Sequence, residues 1–159
     1  ENPDVVLIPN LPERGVRGDP GWLSGSIPAD ALATLEAVQS DTEAQANFGI
    51  QARNLARLNN IGMNIALGTD GNTPWAPHTE MENMVISGMT PAQVIVTATG
   101  NAAAVLGLDD MGTITAGKSA DFVVLEENPL DDITNTRSIS SVYLRGEQVD
   151  RAAISGRWN

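Results

Sequence analysis

Two short apolar runs, each ended by turn residues, most constrain the fold of this chain. Asp4 to Ile8 is followed by Pro9-Asn10, and Ile65 to Leu67 is followed by Gly68. Because these runs are apolar at successive positions, they are typical of parallel strands covered on both faces. Between them, Ser40-x-x-Glu43 has the form of a capping box, and Gly62 supplies a helix stop. The sequence therefore predicts a right-handed βαβ unit, with functional loops after the strand ends.

The second half of the chain changes from helical to strand-like patterns. Thr79-x-x-Glu82 and Thr90-Pro91-x-Gln93 predict two helix starts, and Gly88 and Gly107 lie where those helices should stop. After Gly112 the runs are strand-like, with turn signals at 116–118 and 145–147. We predict a domain from residue 1 to 110, a strand-rich part from 111 to 150, and a tail from 151 to 159.

Composition narrows the possible partners. Twenty acidic and nine basic residues give a formal net charge of −11, which disfavours nucleic acid and anionic membrane surfaces. No apolar run approaches the roughly 20 residues that a membrane-spanning helix needs. Since the chain has no cysteine, disulfides and thiolate metal sites are impossible. We expect a soluble protein, in the cytoplasm rather than the periplasm.

Several separated motifs then occur in an order that resembles one known family. LGTDG at 67–71 is followed by a run from 77 to 133, which contains Thr99-x-Asn101-Ala102-Ala103 and Gly117-Lys118-x-Ala120-Asp121, and then by SVYLRGEQV at 141–149. This order closely resembles the C-terminal part of the amidohydrolase superfamily, in its prolidase-like and imidazolonepropionase-like branch. The resemblance implies an α/β fold: strands seven and eight of a (β/α)8 TIM barrel, with part of a small composite β-sandwich.

The resemblance also implies a metal-dependent reaction in which Asp70 has a central role. Asp70 matches the family's aspartate after the last barrel strand, which contacts the metal or takes the proton of the attacking water. A carboxylate beside a divalent cation stays ionised and can accept that proton. The implied cofactor is zinc or another divalent metal, and the implied reaction is hydrolysis of a C–N bond in a small-molecule substrate. For Asp70 alone, a turn-forming aspartate is the competing interpretation.

The family's metal-binding histidines have no counterpart in this sequence. His78 is the only histidine, and one histidine without cysteine cannot supply the nitrogen or sulfur ligands of a catalytic zinc site. We therefore expect the chain alone to be inactive, as a C-terminal portion of a longer enzyme. Since only two of eight barrel strands are present, we expect a missing N-terminal barrel half, or self-association through exposed edges, and a homo-oligomer.

Four residues are candidates for substrate binding. His78 could line the pocket or orient Asp70, although a residue at a helix entry is an equal alternative. Arg14, Arg17 and Trp22 lie in the loop after the first strand, where arginine suits a carboxylate and tryptophan an apolar group; surface solvation is the competing explanation.

Other polar residues in the same region have structural interpretations. We interpret Glu80 and Glu82 as first-turn helix carboxylates, and Asn101 as a buried amide bonded to backbone. Gly68, Gly71 and Asn72 are interpreted as setting the backbone around Asp70.

Two further hypotheses belong to other classes of protein. The chain could come from a non-catalytic relative that keeps the barrel as a scaffold or binding surface and has lost the metal site. It could also be an independent interaction module, which would have to be monomeric and fold cooperatively; exposed strand edges argue against this.

Overall fold

The computed structural model of the chain describes residues 5–11, 19–38, 41–70 and 73–155. In chain order the elements are β1 (Val6–Leu7), a first 3-10 turn (Pro20–Leu23), α1 (Ala29–Val38), α2 (Thr42–Asn60), β2 (Asn64–Ile65), α3 (Ala76–Ile86), α4 (Pro91–Val96), a π-helical turn (Thr97–Asn101), α5 (Ala102–Val105), β3 (Phe122–Leu125), a second 3-10 turn (Ile133–Arg137), β4 (Ile139–Leu144), β5 (Glu147–Gln148) and α6 (Arg151–Ser155). The chain is thus a mixed α/β protein. Along the described segments, no helix is both long and apolar enough to cross a membrane.

The predicted βαβ unit is present, although its strands are shorter than the apolar runs. β1 and β2 pair in parallel, with Val6 opposite Asn64 and Leu7 opposite Ile65. The ladder continues one residue further, where Ala66 N–H donates to Leu7 O at 3.0 Å. Two helices, α1 and α2, connect the strands where the sequence predicted one.

The N-cap of helix α2 lies one residue after the predicted cap, Ser40. Asp41 is the N-cap, and its Oδ1 accepts from the backbone N–H of Glu43 at 2.9 Å and of Ala44 at 3.1 Å. A carboxylate at this position satisfies two amides that have no partner within the helix. The predicted stop at Gly62 is confirmed, with φ of 80° in the left-handed region that glycine adopts without strain.

The predicted start of α3 is wrong, whereas that of α4 is confirmed. Helix α3 begins at Ala76 with Trp75 at the N-cap position, and Pro77 lies within its first two positions. Proline has a fixed φ that suits the first helical turn, so the helix starts three residues before the Thr79 signal. Thr90 does form a capping box with Gln93, in which the backbone amides of both residues are bonded reciprocally.

The hydrophobic core lies where α2, α3 and α4 pack against β2. Its buried members are Leu11, Phe48, Leu55, Ile65, Met81, Met84, Met89, Val94 and Ile133. The π-helical turn also bonds to the end of β2, because Leu67 N–H donates to Thr97 O at 3.0 Å. Asn101 Nδ2 donates to Ile65 O at 2.7 Å, which confirms the predicted structural role of this amide.

The C-terminal strands form a separate antiparallel sheet in the order β3-β4-β5. The predicted turn at 145–147 is confirmed: Arg145 and Gly146 have φ of 53° and 84°, the pair of positive values that a tight hairpin requires. Phe122 and Tyr143 stack across β3 and β4, with ring centroids 4.6 Å apart. The second 3-10 turn joins this sheet to α3, since Ile133 and Thr136 are buried there.

Candidate active site

Asp70 lies at the end of the irregular segment 66–70 that follows the carboxyl end of β2, on the side of the strand that the sequence predicted. Its side chain is exposed. Two residues earlier, Gly68 lies so close to the segment after β1 that a Cβ atom there would be 2.4 Å from Ile8 Cγ2 and 3.0 Å from Asn10 Oδ1. Only glycine permits this approach, which brings the chain segments leaving both strands together beside Asp70.

Glu80 is a buried carboxylate that holds the segment after β1. Its side chain is 3% exposed, and Leu11 N–H donates to its two oxygens at 3.1 and 3.0 Å. The interpretation of Glu80 as a first-turn helix carboxylate is wrong, because α3 begins at Ala76 and has no acidic residue in its first turn. Glu80 instead connects α3 to the segment after β1 through its hydrogen bonds with Leu11.

His78 lies in a contact between α3, the first 3-10 turn and the second 3-10 turn. Its Nδ1 is 2.9 Å from Thr136 Oγ1, and its ring meets that of Trp22 edge-on, with centroids 6.0 Å apart and an interplanar angle of 77°. Burial, and secondarily the positive charge of Arg137, lower the pKa of His78 below its usual value of 6.5. The imidazole is therefore neutral at pH 7.

Arg137 completes this cluster. Its guanidinium carbon lies 4.4 Å from the centroid of the Trp22 ring, and its Nη2 forms an ion pair with Glu82. Stacking over an indole ring is a preferred environment for guanidinium. The first-turn interpretation is also wrong for Glu82. This residue lies in the interior of α3, where its carboxylate forms the ion pair with Arg137.

The structure brings two of the predicted site residues together. His78 and Trp22 are in contact with each other, and no contact of either with Asp70 is recorded within the described part of the chain. Arg14 and Arg17, as well as Gly71 and Asn72, lie outside the described residues. Thr136 and Arg137 could not be predicted as members of this cluster, because no sequence motif links them to α3 residues that lie more than 50 positions earlier.

The described residues do not by themselves fit a catalytic metal centre. Across 5–11, 19–38, 41–70 and 73–155, no group of three or more histidine, aspartate or glutamate side chains could hold a metal ion. A catalytic zinc ion takes three protein ligands. Asp70 is exposed and could supply one oxygen ligand to a site completed by other residues.

An apolar pocket of about 310 Å3 lies elsewhere, between the end of α2 and α4. Its lining includes Met63, Ile65, Met89 and Val96, and none of the predicted site residues belongs to it. It therefore adds nothing to the site around Asp70.

Comparison with known protein families identifies the family of this chain. The model of the Amidohydrolase family matches residues 27–149, and the chain belongs to this family. The recognition made from the LGTDG motif and the later runs is thereby confirmed.

Three individual proteins show what the chain is similar to within this family. The chain is 31% identical over 135 residues to imidazolonepropionase from Deinococcus radiodurans, covering 79% of this chain and 34% of the relative. Phenylurea hydrolase B has a TM-score of 0.59 and 34% identity over 65% of this chain and 27% of that structure. A putative prolidase from Bifidobacterium longum has a TM-score of 0.63 and 28% identity, covering 95% and 38%. The chain thus spans about a third of the length of these proteins.

Proposed function

We propose that this chain is part of a metal-dependent hydrolase that cleaves C–N bonds in small molecules. The observation that carries the proposal is Asp70, in the segment that follows the parallel strand β2, in a chain of the Amidohydrolase family. In this proposal β1 and β2 are the last two strands of a TIM barrel, and β3, β4 and β5 belong to a small composite β-sandwich. The predicted division at 110 and 150 follows from the same proposal.

Asp70 has one of two roles in the proposed reaction. It either donates an oxygen ligand to the metal or accepts, at a carboxylate oxygen, the proton of the attacking water and returns it to the leaving amine. The metal, if zinc, would lower the pKa of a water ligand to about 7, and Asp70 would be one of the residues that hold the metal or take that proton. Because the chain has one histidine and no cysteine, the remaining ligands are proposed to come from residues outside this chain.

The proposed substrate class is limited to what the relatives have in common. An imidazolonepropionase, a phenylurea hydrolase and a putative prolidase differ in what they act on, so they support a small C–N substrate and no particular one. A homo-oligomer remains part of the proposal. His78, Arg14, Arg17 and Trp22 stay candidates for substrate contact, and the His78 ring also contacts Trp22.

The test uses the complete polypeptide that contains residues 1–159, loaded with zinc. Turnover is measured on a panel of Xaa-Pro dipeptides, N-acyl amino acids, phenylureas and cyclic amides. We expect hydrolysis of at least one class and a loss of about 100-fold or more in kcat/KM for Asp70→Asn, the scale of a lost proton-transfer group. Asp131→Asn, at an exposed aspartate of a turn in the C-terminal part, is the matched control and should leave turnover unchanged.

Two outcomes would contradict the proposal. If Asp70→Asn keeps full turnover, the aspartate is only a turn residue. If the wild-type polypeptide binds no metal and hydrolyses nothing on the panel, the non-catalytic scaffold is selected instead.

A further inference from the structure

The cluster formed by Trp22, His78, Glu82, Thr136 and Arg137 has no part in the proposed proton transfer. It joins three segments that are distant in sequence: the first 3-10 turn, helix α3 and the second 3-10 turn. Its position matters because the first 3-10 turn belongs to the connection that follows β1. Because β1 and β2 are parallel, the segments after both strands, including Asp70 after β2, leave from the same edge of the sheet.

Two side chains of α3 hold the second 3-10 turn. His78 and Glu82 are one helical turn apart, so they lie on one face of α3. His78 contacts Thr136, and Glu82 pairs with the next residue, Arg137. Ile133, at the start of this turn, is 5% exposed and belongs to the hydrophobic core. These contacts hold the second 3-10 turn, and with it the backbone of Arg137, against α3 and the hydrophobic core.

Arg137 and His78 hold Trp22 from two directions. The guanidinium lies over the face of the indole, and the imidazole meets the ring edge-on. Trp22 is still 36% exposed, so these two contacts, and not enclosure in the core, fix the ring. A guanidinium pre-oriented by Glu82 can stack on an indole with little loss of side-chain entropy.

The other end of the same connection is held by α3 as well. Leu11 N–H donates to the buried carboxylate of Glu80, whereas Trp22 rests on His78. Residues 11 and 22 are thus both attached to one helix.

We propose that Arg137 is a positioning residue for the first 3-10 turn (Pro20–Leu23), through its contact with Trp22. This inference rests on the proposed function, in which Trp22 is a candidate for substrate contact. Arg137 sets where the Trp22 ring lies, and so it affects substrate affinity more than the chemical step. Lysine at this position would keep the pairing with Glu82 but lose the planar stacking.

A structural test separates this inference from the proposed function. The three tryptophans of the chain are labelled with 5-fluorotryptophan, and the fluorine resonances of Trp22 and Trp75 are identified by their absence in Trp22→Phe and Trp75→Phe. We expect Arg137→Gln to move this resonance toward that of the free amino acid while the Trp75 resonance, which reports the start of α3, stays in place. Arg53→Gln, at an exposed arginine on α2, is the matched control and should move neither.

An unchanged Trp22 resonance in Arg137→Gln would overturn the inference. A shift of the Trp75 resonance together with that of Trp22 would also overturn it, because Arg137 would then support α3 as a whole. Arg137→Lys keeps the charge and should give an intermediate Trp22 shift. Recovery of the wild-type position by lysine would mean that charge alone, without stacking, holds the ring, and would count against the inference.

A kinetic test uses the complete polypeptide from the hydrolysis assay. We expect Arg137→Gln to raise KM about five-fold with kcat and metal content nearly unchanged, a size typical of a cation–π contact. Arg53→Gln should have wild-type kinetics. An unchanged KM, or a loss of kcat together with metal, would overturn the positioning role. If the wild type has no activity, the proposed function fails and the fluorine resonances alone decide on Arg137.

Discussion

Replacing Glu80 by alanine should destabilise the chain by about 3 kcal/mol. The carboxylate is buried and accepts the Leu11 N–H at 3.1 and 3.0 Å. Removal of this acceptor leaves a buried N–H without its partner, which costs roughly 1–3 kcal/mol. The lost methylene adds about 0.8 kcal/mol. Urea unfolding, followed by circular dichroism at 222 nm, measures the change in the free energy of unfolding.

Two matched variants test the reasoning about Glu80. Glu80→Gln keeps one carbonyl acceptor, so it should lose less than half as much stability as Glu80→Ala. Glu127→Ala, at an exposed glutamate, should change the free energy of unfolding by less than about 0.5 kcal/mol. If Glu80→Ala is as stable as Glu127→Ala, the bond to Leu11 does not hold the segment after β1, and the account of this strand end is refuted.

Three further predictions concern pH, packing and association. Because burial and the charge of Arg137 lower the pKa of folded His78, its contribution to stability is complete above pH 6.5 and is lost as the pH falls through the folded value. The slope, at most about 1.4 kcal/mol per pH unit, should be absent in His78→Gln, and an unchanged slope would show that His78 is not the group that titrates. Gly68→Ala should lower the free energy of unfolding by about 1–3 kcal/mol, because the new Cβ would clash with Ile8. The control Gly49→Ala, in helix α2, should be neutral or stabilising by up to about 1 kcal/mol, and equal effects of the two variants in thermal melts would refute the close approach of Gly68 to Ile8. The isolated chain should self-associate in light scattering, since Val5 and Ile8 beside β1 are 47% and 45% exposed, and a sharp monomer peak would count against this.

Local signals in the sequence predicted the parts of the fold that depend on neighbouring residues. The parallel strands followed from two unbroken apolar runs, the start of α4 from Thr90 and Gln93, and the hairpin turn from Arg145-Gly146. Asn101 was predicted as a structural amide and bonds to Ile65 O. In each case the determining groups are close in sequence or lie in a strong motif.

The misses arose where two local signals competed or where the contact was distant. At α3, Pro77 started the helix before the Thr79 signal, which placed Glu80 and Glu82 inside the helix. Helix α1 was not predicted, because its sequence follows a turn-rich stretch with no capping signal. The cluster around Trp22 depends on tertiary packing, which periodicity cannot reveal.

Asp70 shows what sequence and structure each contribute to the candidate site. The sequence predicted an aspartate after a strand, and the structure has it there, exposed and beside the close approach of Gly68 to Ile8. Its catalytic and metal roles stay predictions, because ligands from outside the described residues would be needed.

The metal content of the complete polypeptide tests the central claim most directly. Inductively coupled plasma mass spectrometry on the purified protein, with intact-mass analysis of the same sample, should find about one or two zinc or other divalent ions per chain. Asp131→Asn should contain the same amount, and Asp70→Asn should contain less if Asp70 is a ligand. A wild-type polypeptide of the expected mass that binds no divalent metal, even after incubation with zinc, would contradict the claim that this chain belongs to a metal-dependent hydrolase.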